Sequence, residues 1–294
     1  IISSVSLIDQ LVEKALFKAQ NQAEIDNWEQ CPSKPGLGLN DDGLQSLWEY
    51  VQSWGPGARY ESDFVAWDWG VQYWEMLFEA DVRASLAGMV GTIYHRVMRN
   101  RMWAEANTVF MTSDGQFYAQ LQPGKRCSGS QNTGAGNSKM RVARGYMCGA
   151  IHIMAMGDDS VELSPPEIVD RYRAMGFNLK MLQESKDGFE FCSMKIGKVD
   201  GVVTGQPVNW AKTFYRLLWA TGDYSARLEQ FKYEMRHSPH LKPCLDALER
   251  VGWGLSKHAE EEEGDGESSC GLPSDPRAAE ESCQDLQECA KASS

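Results

Sequence analysis

Two adjacent carboxylates, Asp158 and Asp159, follow Gly157 in the stretch HIMAMGDDSVEL, between two apolar runs. A second, spaced pair, Asp63 and Asp68, lies in ESDFVAWDW. Carboxylate oxygens are hard ligands suited to Mg²⁺, and two divalent ions held about 3.5–4 Å apart clamp the attacking and leaving oxygens of a phosphoryl transfer. Acids at the ends of two different strands, brought side by side in one sheet, would make such a site. Each motif alone has a plainer reading: Gly-Asp-Asp suits a tight turn, and D-x4-D arises readily in any acidic chain.

The elements needed to position these acids are visible in the patterning. Residues 5–29 carry an apolar stripe of helical period (Val5, Ile8, Leu11, Val12, Leu16, Phe17), and a second helix runs from Leu44 to Trp54. ARYESDFVAWDWG predicts a short strand closing on acids, and residues 71–102 a long helix. NTVFMTSDGQFYAQLQ predicts a hairpin about Ser113-Asp114-Gly115. SGSQNTGAGNSKMRVARGYMCG begins as a small-residue loop and becomes a helix that places Thr133, Asn137, Arg141 and Arg144 on one face. AIHIMAM and SVEL are strands flanking the Gly-Asp-Asp turn. In SPPEIVDRYRAMG, Ser164 is the expected N-cap, with Pro165 at the first helical position and Gly176 as the C-terminal stop. FNLKML, FEFCSMKI and VDGVVTG predict further strands, and residues 207–255 predict helices.

The chain has 294 residues, 42% of them hydrophobic, enough for one large core or two modest ones. No run of eighteen apolar residues is present, so no transmembrane segment is expected. The eight cysteines (31, 127, 148, 192, 244, 270, 283, 289) have neither disulfide-framework nor zinc spacing and are expected to be reduced thiols. The net charge of −12 is concentrated from Ala259 onward, where eleven acids face two bases; this segment is expected to be disordered. Upstream of it, bases cluster at Arg96, Arg99 and Arg101, at Lys125 and Arg126, at Lys139, Arg141 and Arg144, and at Arg171 and Arg173. Such clusters suit either a channel for nucleic-acid phosphates or solvated helix faces.

Taken together and in order, ESDFVAWDW, SGSQNTGAGN (S-G-x-x-x-T-x-x-x-N) and MAMGDDSVE resemble motifs A, B and C of viral RNA-dependent RNA polymerases. The flanking ISSVSLIDQLVEK, PSKPGLGL, WDWGVQYW, NSKMRV and EFCS are similar to the sobemovirus and solemovirid members. The resemblance implies an α+β right-hand fold with an antiparallel-sheet palm, partial fingers and a helical thumb. In it, residues 1–62 are partial fingers, 63–74 palm with motif A, 75–122 a fingers/palm insertion with a hairpin, 123–196 palm with motifs B to E, 197–258 thumb, and 259–294 an acidic disordered tail. The basic motif F of the family would lie upstream of Ile1, so the upstream fingers are expected to be missing from this chain.

By the same resemblance, Asp63 and Asp158 are the main ligands of two Mg²⁺ ions, or Mn²⁺ in their place, with Asp159 adjacent. Asp68, Ser128, Thr133 and Asn137 form a hydrogen-bond network under the ribose of the incoming nucleoside triphosphate, and Gly129 gives the loop freedom to move. Lys180, with Lys186 as the alternative, is the motif D lysine that protonates pyrophosphate. Phe191 to Ser193 form motif E, beside the primer. Lys125, Arg126, Arg141 and Arg144 are the expected RNA contacts. The implied partners are template and primer RNA, nucleoside triphosphates and a genome-linked protein primer. The implied location is the host cytoplasm, in viral replication complexes. The competing readings are a catalytically silent, polymerase-like RNA-binding fragment and a reverse transcriptase. Thr133 and Asn137 of motif B, and the Gly before the paired acids, disfavour the latter.

Overall fold

A computed structural model of the chain describes residues 3–250 and Gly252. The expected acidic tail, 259–294, lies outside the described residues. The chain folds in the order α1 (Leu7–Asp26), α2 (Asp41–Gln52), β1 (Arg59–Phe64), α3 (Trp67–Gly70), α4 (Tyr73–Leu86), α5 (Ile93–Ala106), β2 (Val109–Met111) and β3 (Phe117–Ala119). It continues with α6 (Thr133–Cys148), β4 (His152–Met156), β5 (Asp159–Leu163), α7 (Ile168–Ala174), β6 (Leu179–Glu184), β7 (Phe189–Phe191), β8 (Met194–Val199) and β9 (Val202–Pro207). Three helices close it: α8 (Trp210–Leu218), α9 (Tyr224–Glu234) and α10 (Leu241–Arg250).

The central sheet has the order β4-β5-β1-β6, and every pairing in it is antiparallel. Successive residues of a strand face opposite sides, and each side is covered. On one, Phe64 packs with Phe17 of α1, Met76 of α4, Met102 of α5, Met140 of α6 and Tyr172 of α7. On the other, Val161 and Leu163 pack with Leu44, Leu47 and Val51 of α2 and with Phe189, Phe191 and Ile196 of the β7-β8-β9 sheet. Helices α8, α9 and α10 have a core of their own, centred on Phe214, Phe231 and Met235. This is the α+β architecture expected, although β8 runs straight across residue 197, where the thumb was expected to begin.

Three local expectations are corrected. The helix over 71–102 is two helices, because Gly88 and Gly91 take φ of 64° and 77°, values that L-residues rarely adopt; Thr92 then caps α5 by accepting from the His95 N–H. The helix after β5 starts at Ile168 rather than Pro165, and Ser164 is not its cap. The Ser164 N–H instead bonds the Ala58 carbonyl at 3.3 Å, which prolongs the β1–β5 ladder by a rung; a residue before proline favours that extended conformation. FEFCSMKI is a tight hairpin rather than one strand, with Cys192 and Ser193 both left-handed between β7 and β8.

Candidate active site

The three acids reach one end of the central sheet by different routes. Asp63 is the penultimate residue of β1, immediately before a register shift. Asp158 sits with Gly157 in the two-residue loop joining β4 to β5, and Asp159 is the first residue of β5, paired with Met156. Gly157 takes φ 66°, as the first loop position of a two-residue hairpin can when it is glycine. Its N–H donates to Ser138 Oγ of α6 at 2.8 Å, which ties the loop to that helix.

The β1–β5 register ends at Ser62 opposite Ser160, so Asp63 and Asp159 come next on neighbouring strands, and the charges of the acids act on one another. Burial, with the charges of Asp63 and Asp68, raises the Asp158 carboxyl above its ordinary range, opposed in part by the Arg141 guanidinium. Burial and the charges of Asp158, Asp63 and Glu190 push Asp159 up to about 6. Lys180 of β6 extends its exposed ammonium to Asp63 Oδ2 at 2.7 Å. Lys186 lies in the bend between β6 and β7. Among the described residues, no three His, Cys, Asp or Glu side chains converge into a ready-made metal cage. Mg²⁺ needs none: it keeps several waters and takes one or two carboxylates together with substrate phosphates.

Because Asp159 holds its proton more tightly when folded, its effect on stability has a definite sign. The folded chain binds more protons than the unfolded one between about 3.8 and about 6, so this residue's contribution falls as pH rises through that window and is level above it. In chelator, Asp159→Asn is therefore expected to gain Tm relative to the parent as pH goes from 4 to 7. A difference that stays constant with pH would show that Asp159 is not crowded.

The motif B residues divide. Asn137 Nδ2 donates to Asp68 Oδ1 at 3.3 Å, and Asn137 Oδ1 is buried without a hydrogen-bond partner among the described residues. Thr133 and Ser128 are not in that network. Thr133 Oγ1 donates to the carbonyls of Cys127 and Ser130 at 2.7 and 2.9 Å, bracing the start of α6. Ser128 Oγ accepts from the Ser3 N–H at 2.9 Å. The Gly129 N–H bonds the Ser3 carbonyl at 3.0 Å, so close that a Cβ on Gly129 would lie 2.5 Å from that oxygen.

The four expected RNA contacts are corrected. Arg126, Arg141 and Arg144 are almost fully buried and engaged: Arg126 with Glu79 and Glu105, Arg141 with Glu162, and Arg144 with Glu75. Lys125 is buried too, its Nζ 3.5 Å from the Trp69 ring centroid and 3.6 Å from that of Phe110. Charged groups this deep are paired because an isolated one would be too costly, and the three arginines spend their charge on carboxylates inside the protein. Sequence reasoning missed their counter-ions. A signal existed for two of them: Glu75 and Glu79 recur four apart on the core-facing side of a helix. Glu190 and Ser138, which also border the site, carried none.

With the geometry established, comparison with known proteins is informative. The model of a family described as viral RNA-directed RNA-polymerase matches residues 1–52 and 58–210. An RNA-directed RNA polymerase of Mushroom bacilliform virus is 39% identical over 257 residues, 81% of this chain and 60% of that protein. The replicase polyprotein P2AB of Southern bean mosaic virus is 36% identical over 82% of this chain and 25% of its own length. Protein P1-P2 of Potato leafroll virus is likewise 36% identical, over 82% of this chain and 24% of its own length. The chain thus spans between about a quarter and three-fifths of these relatives. The crystal structure of an insertion-loop deletion mutant of a human picorbirnavirus RNA-dependent RNA polymerase superposes with a TM-score of 0.66 at 15% identity, over 83% of this chain and 52% of that one; at that identity the likeness speaks for the fold. A sheet end that gathers Asp63, Asp158 and Asp159, a polymerase fold around it, and a family match across more than half the residues lead to one conclusion: this chain belongs to the viral RNA-directed RNA polymerase family.

Proposed function

We propose that the chain carries out template-directed RNA synthesis for a positive-strand RNA virus. A primer 3′-hydroxyl attacks the α-phosphate of a nucleoside triphosphate, the new phosphodiester bond forms, and pyrophosphate leaves. The observation that carries this reading is the meeting of Asp63, Asp158 and Asp159 at one sheet end, with Lys180 on Asp63 and the Asp68–Asn137 pair beside them.

Asp63 and Asp158 would hold two Mg²⁺ ions, with Asp159 as the adjacent oxygen donor; Mn²⁺ suits the same ligands. The donor set fits, because burial and mutual repulsion press Asp158 and Asp159 toward protonation, and a divalent cation relieves both. When bound, the ions would stabilise the attacking and leaving oxygens of the transfer. Lys180 keeps its proton, since Asp63 raises its pKa, and its Nζ, held on Asp63, would deliver one to the departing pyrophosphate. Template and primer RNA, nucleoside triphosphates, a genome-linked protein primer and action in cytoplasmic replication complexes belong to the same proposal. They rest on the likeness to the sobemovirus-type relatives.

Asn137 supplies selectivity for the sugar. Its carbonyl oxygen is a buried acceptor with no partner among the described residues, and a ribose 2′-hydroxyl can donate to it while the amide stays on Asp68. A 2′-deoxynucleotide leaves that acceptor unmet, at a cost of roughly 1–3 kcal/mol. Asn137→Ala is therefore expected to cut the ratio of ribo- to deoxyribonucleotide efficiency by about 10-fold or more in primer extension, with deoxynucleotide use little changed. An unchanged ratio would remove Asn137 from nucleotide choice. Absence of any template-dependent incorporation by the complete polymerase would overturn the function itself.

A further inference from the structure

Beneath the acids, on the face of the sheet that α6 and α7 cover, lies a buried polar chain that the transfer reaction does not touch. Arg141 of α6 donates through Nη1 to Tyr172 OH at 2.9 Å, and Tyr172 OH donates to Glu162 Oε2 at 2.8 Å. Arg141 Nη2 lies 3.7 Å from Glu162 Oε2 and donates to Ser62 Oγ. Ser62 Oγ is in turn hydrogen-bonded to Ser160 Oγ at 2.9 Å. All five residues are buried. Ser62 and Ser160 are register partners and form the last pair of the β1–β5 ladder. The next residues along each strand are Asp63 and Asp159, which point to the opposite face.

We propose that Arg141, anchored by Glu162 and Tyr172, is a positioning residue for the metal site: by clamping Ser62 to Ser160 it sets how far apart β1 and β5 hold Asp63 and Asp159. The inference rests on the reading of those acids as metal ligands. Two observations favour this role over plain stabilisation. Arg141 Nε and Glu162 Oε1 make no hydrogen bond among the described residues, so the network is not an economical way to fill a core, where apolar side chains do as well or better. It grips the sheet at two places, Glu162 of β5 and the Ser62–Ser160 pair, and the second is the final rung before the acids. Beyond that rung no ladder pairing joins β1 to β5, and hydroxyl groups must do what backbone bonds otherwise do. Groups lying one shell behind a metal orient its ligands in this way, and their loss typically lowers metal affinity about 10- to 100-fold.

The test is metal binding by the full chain, without turnover. Mn²⁺ titrations followed by electron paramagnetic resonance compare the parent with Ser62→Ala, Ser160→Ala, Arg141→Lys and Ser238→Ala, the last a buried serine between α9 and α10. Arg141→Lys alone would be ambiguous if it failed to fold. The serine variants remove one oxygen each and keep the cores packed. Ser62→Ala and Ser160→Ala are expected to weaken Mn²⁺ binding by about 10-fold with a nearly parental melting transition, while Ser238→Ala leaves affinity unchanged. Parental affinity in folded Ser62→Ala and Ser160→Ala overturns the positioning role. Parental affinity in Asp158→Asn, measured alongside, would instead overturn the metal-site reading on which it rests.

Discussion

Asp158→Asn lowers ribonucleotide incorporation by the complete polymerase at least about 1,000-fold, or roughly 4 kcal/mol on the activation barrier, and leaves the fold intact. The change is close to isosteric, so packing is spared. What is lost is the anionic oxygen at the tip of the β4–β5 loop. Phosphoryl transfer leaves the protein little to do beyond positioning and electrostatic stabilisation, so removing a main ligand of the ions removes much of what the site contributes. Stability should move the other way. Burial and two neighbouring acids already disfavour the charged form of Asp158, so the amide relieves repulsion and the metal-free variant should melt no lower than the parent. Primer extension alongside a thermal melt checks both halves, and near-parental incorporation would show that Asp158 is not a ligand.

Arg126→Met destabilises the protein by about 3–5 kcal/mol, for a melting temperature lower by roughly 10 °C. The Arg126 guanidinium lies between Glu79 and Glu105 with essentially no exposure, and also donates to the Asn132 carbonyl at 2.8 Å. Asn132 donates to Glu79 and accepts from Arg83, and immediately precedes the first turn of α6. Removing the cation takes from buried Glu105 the charge that offsets its burial, leaves Glu79 to Arg83 alone, and loosens the loop that leads into the Asn137 helix. Had Arg126 been a phosphate contact, the variant would fold normally and show a shallower salt dependence of RNA binding. A parental melt with a reduced salt slope would therefore restore the RNA-binding role that burial denies it.

Much of the architecture was legible before any coordinates. Helix α1 itself, the β2–β3 hairpin, the Gly-Asp-Asp turn and the helical close of the chain each follow from residue spacing and local turn chemistry, which act over a few residues; the face α1 buries does not, since Ile8, Leu11 and Val12 of its stripe are exposed while Glu13 and Phe17 are inside. The interruption between α4 and α5 was also written in Gly88 and Gly91, but apolar periodicity on both sides obscured it. Ser164 shows the reverse case: its N-cap signature was genuine, and a long-range bond to Ala58 outweighed it. A cap contributes about 1 kcal/mol, which a further rung of a ladder can override.

For the site, the sequence by itself determined which acids are present and that they close strands or turns, because motif order and local patterning carry that information. Only the tertiary structure decided what surrounds them. Charge on a linear chain has no depth: Arg126, Arg141 and Arg144 look like an RNA-facing surface when written out, yet each is held inside by a glutamate 21 to 69 residues away. The same holds for Ser128, whose partner is Ser3, and for Lys180, whose partner is Asp63. Burial and pairing across such separations depend on how helices and strands stack in three dimensions, and it is this stacking that assigns one cation to the core and another to the chemistry.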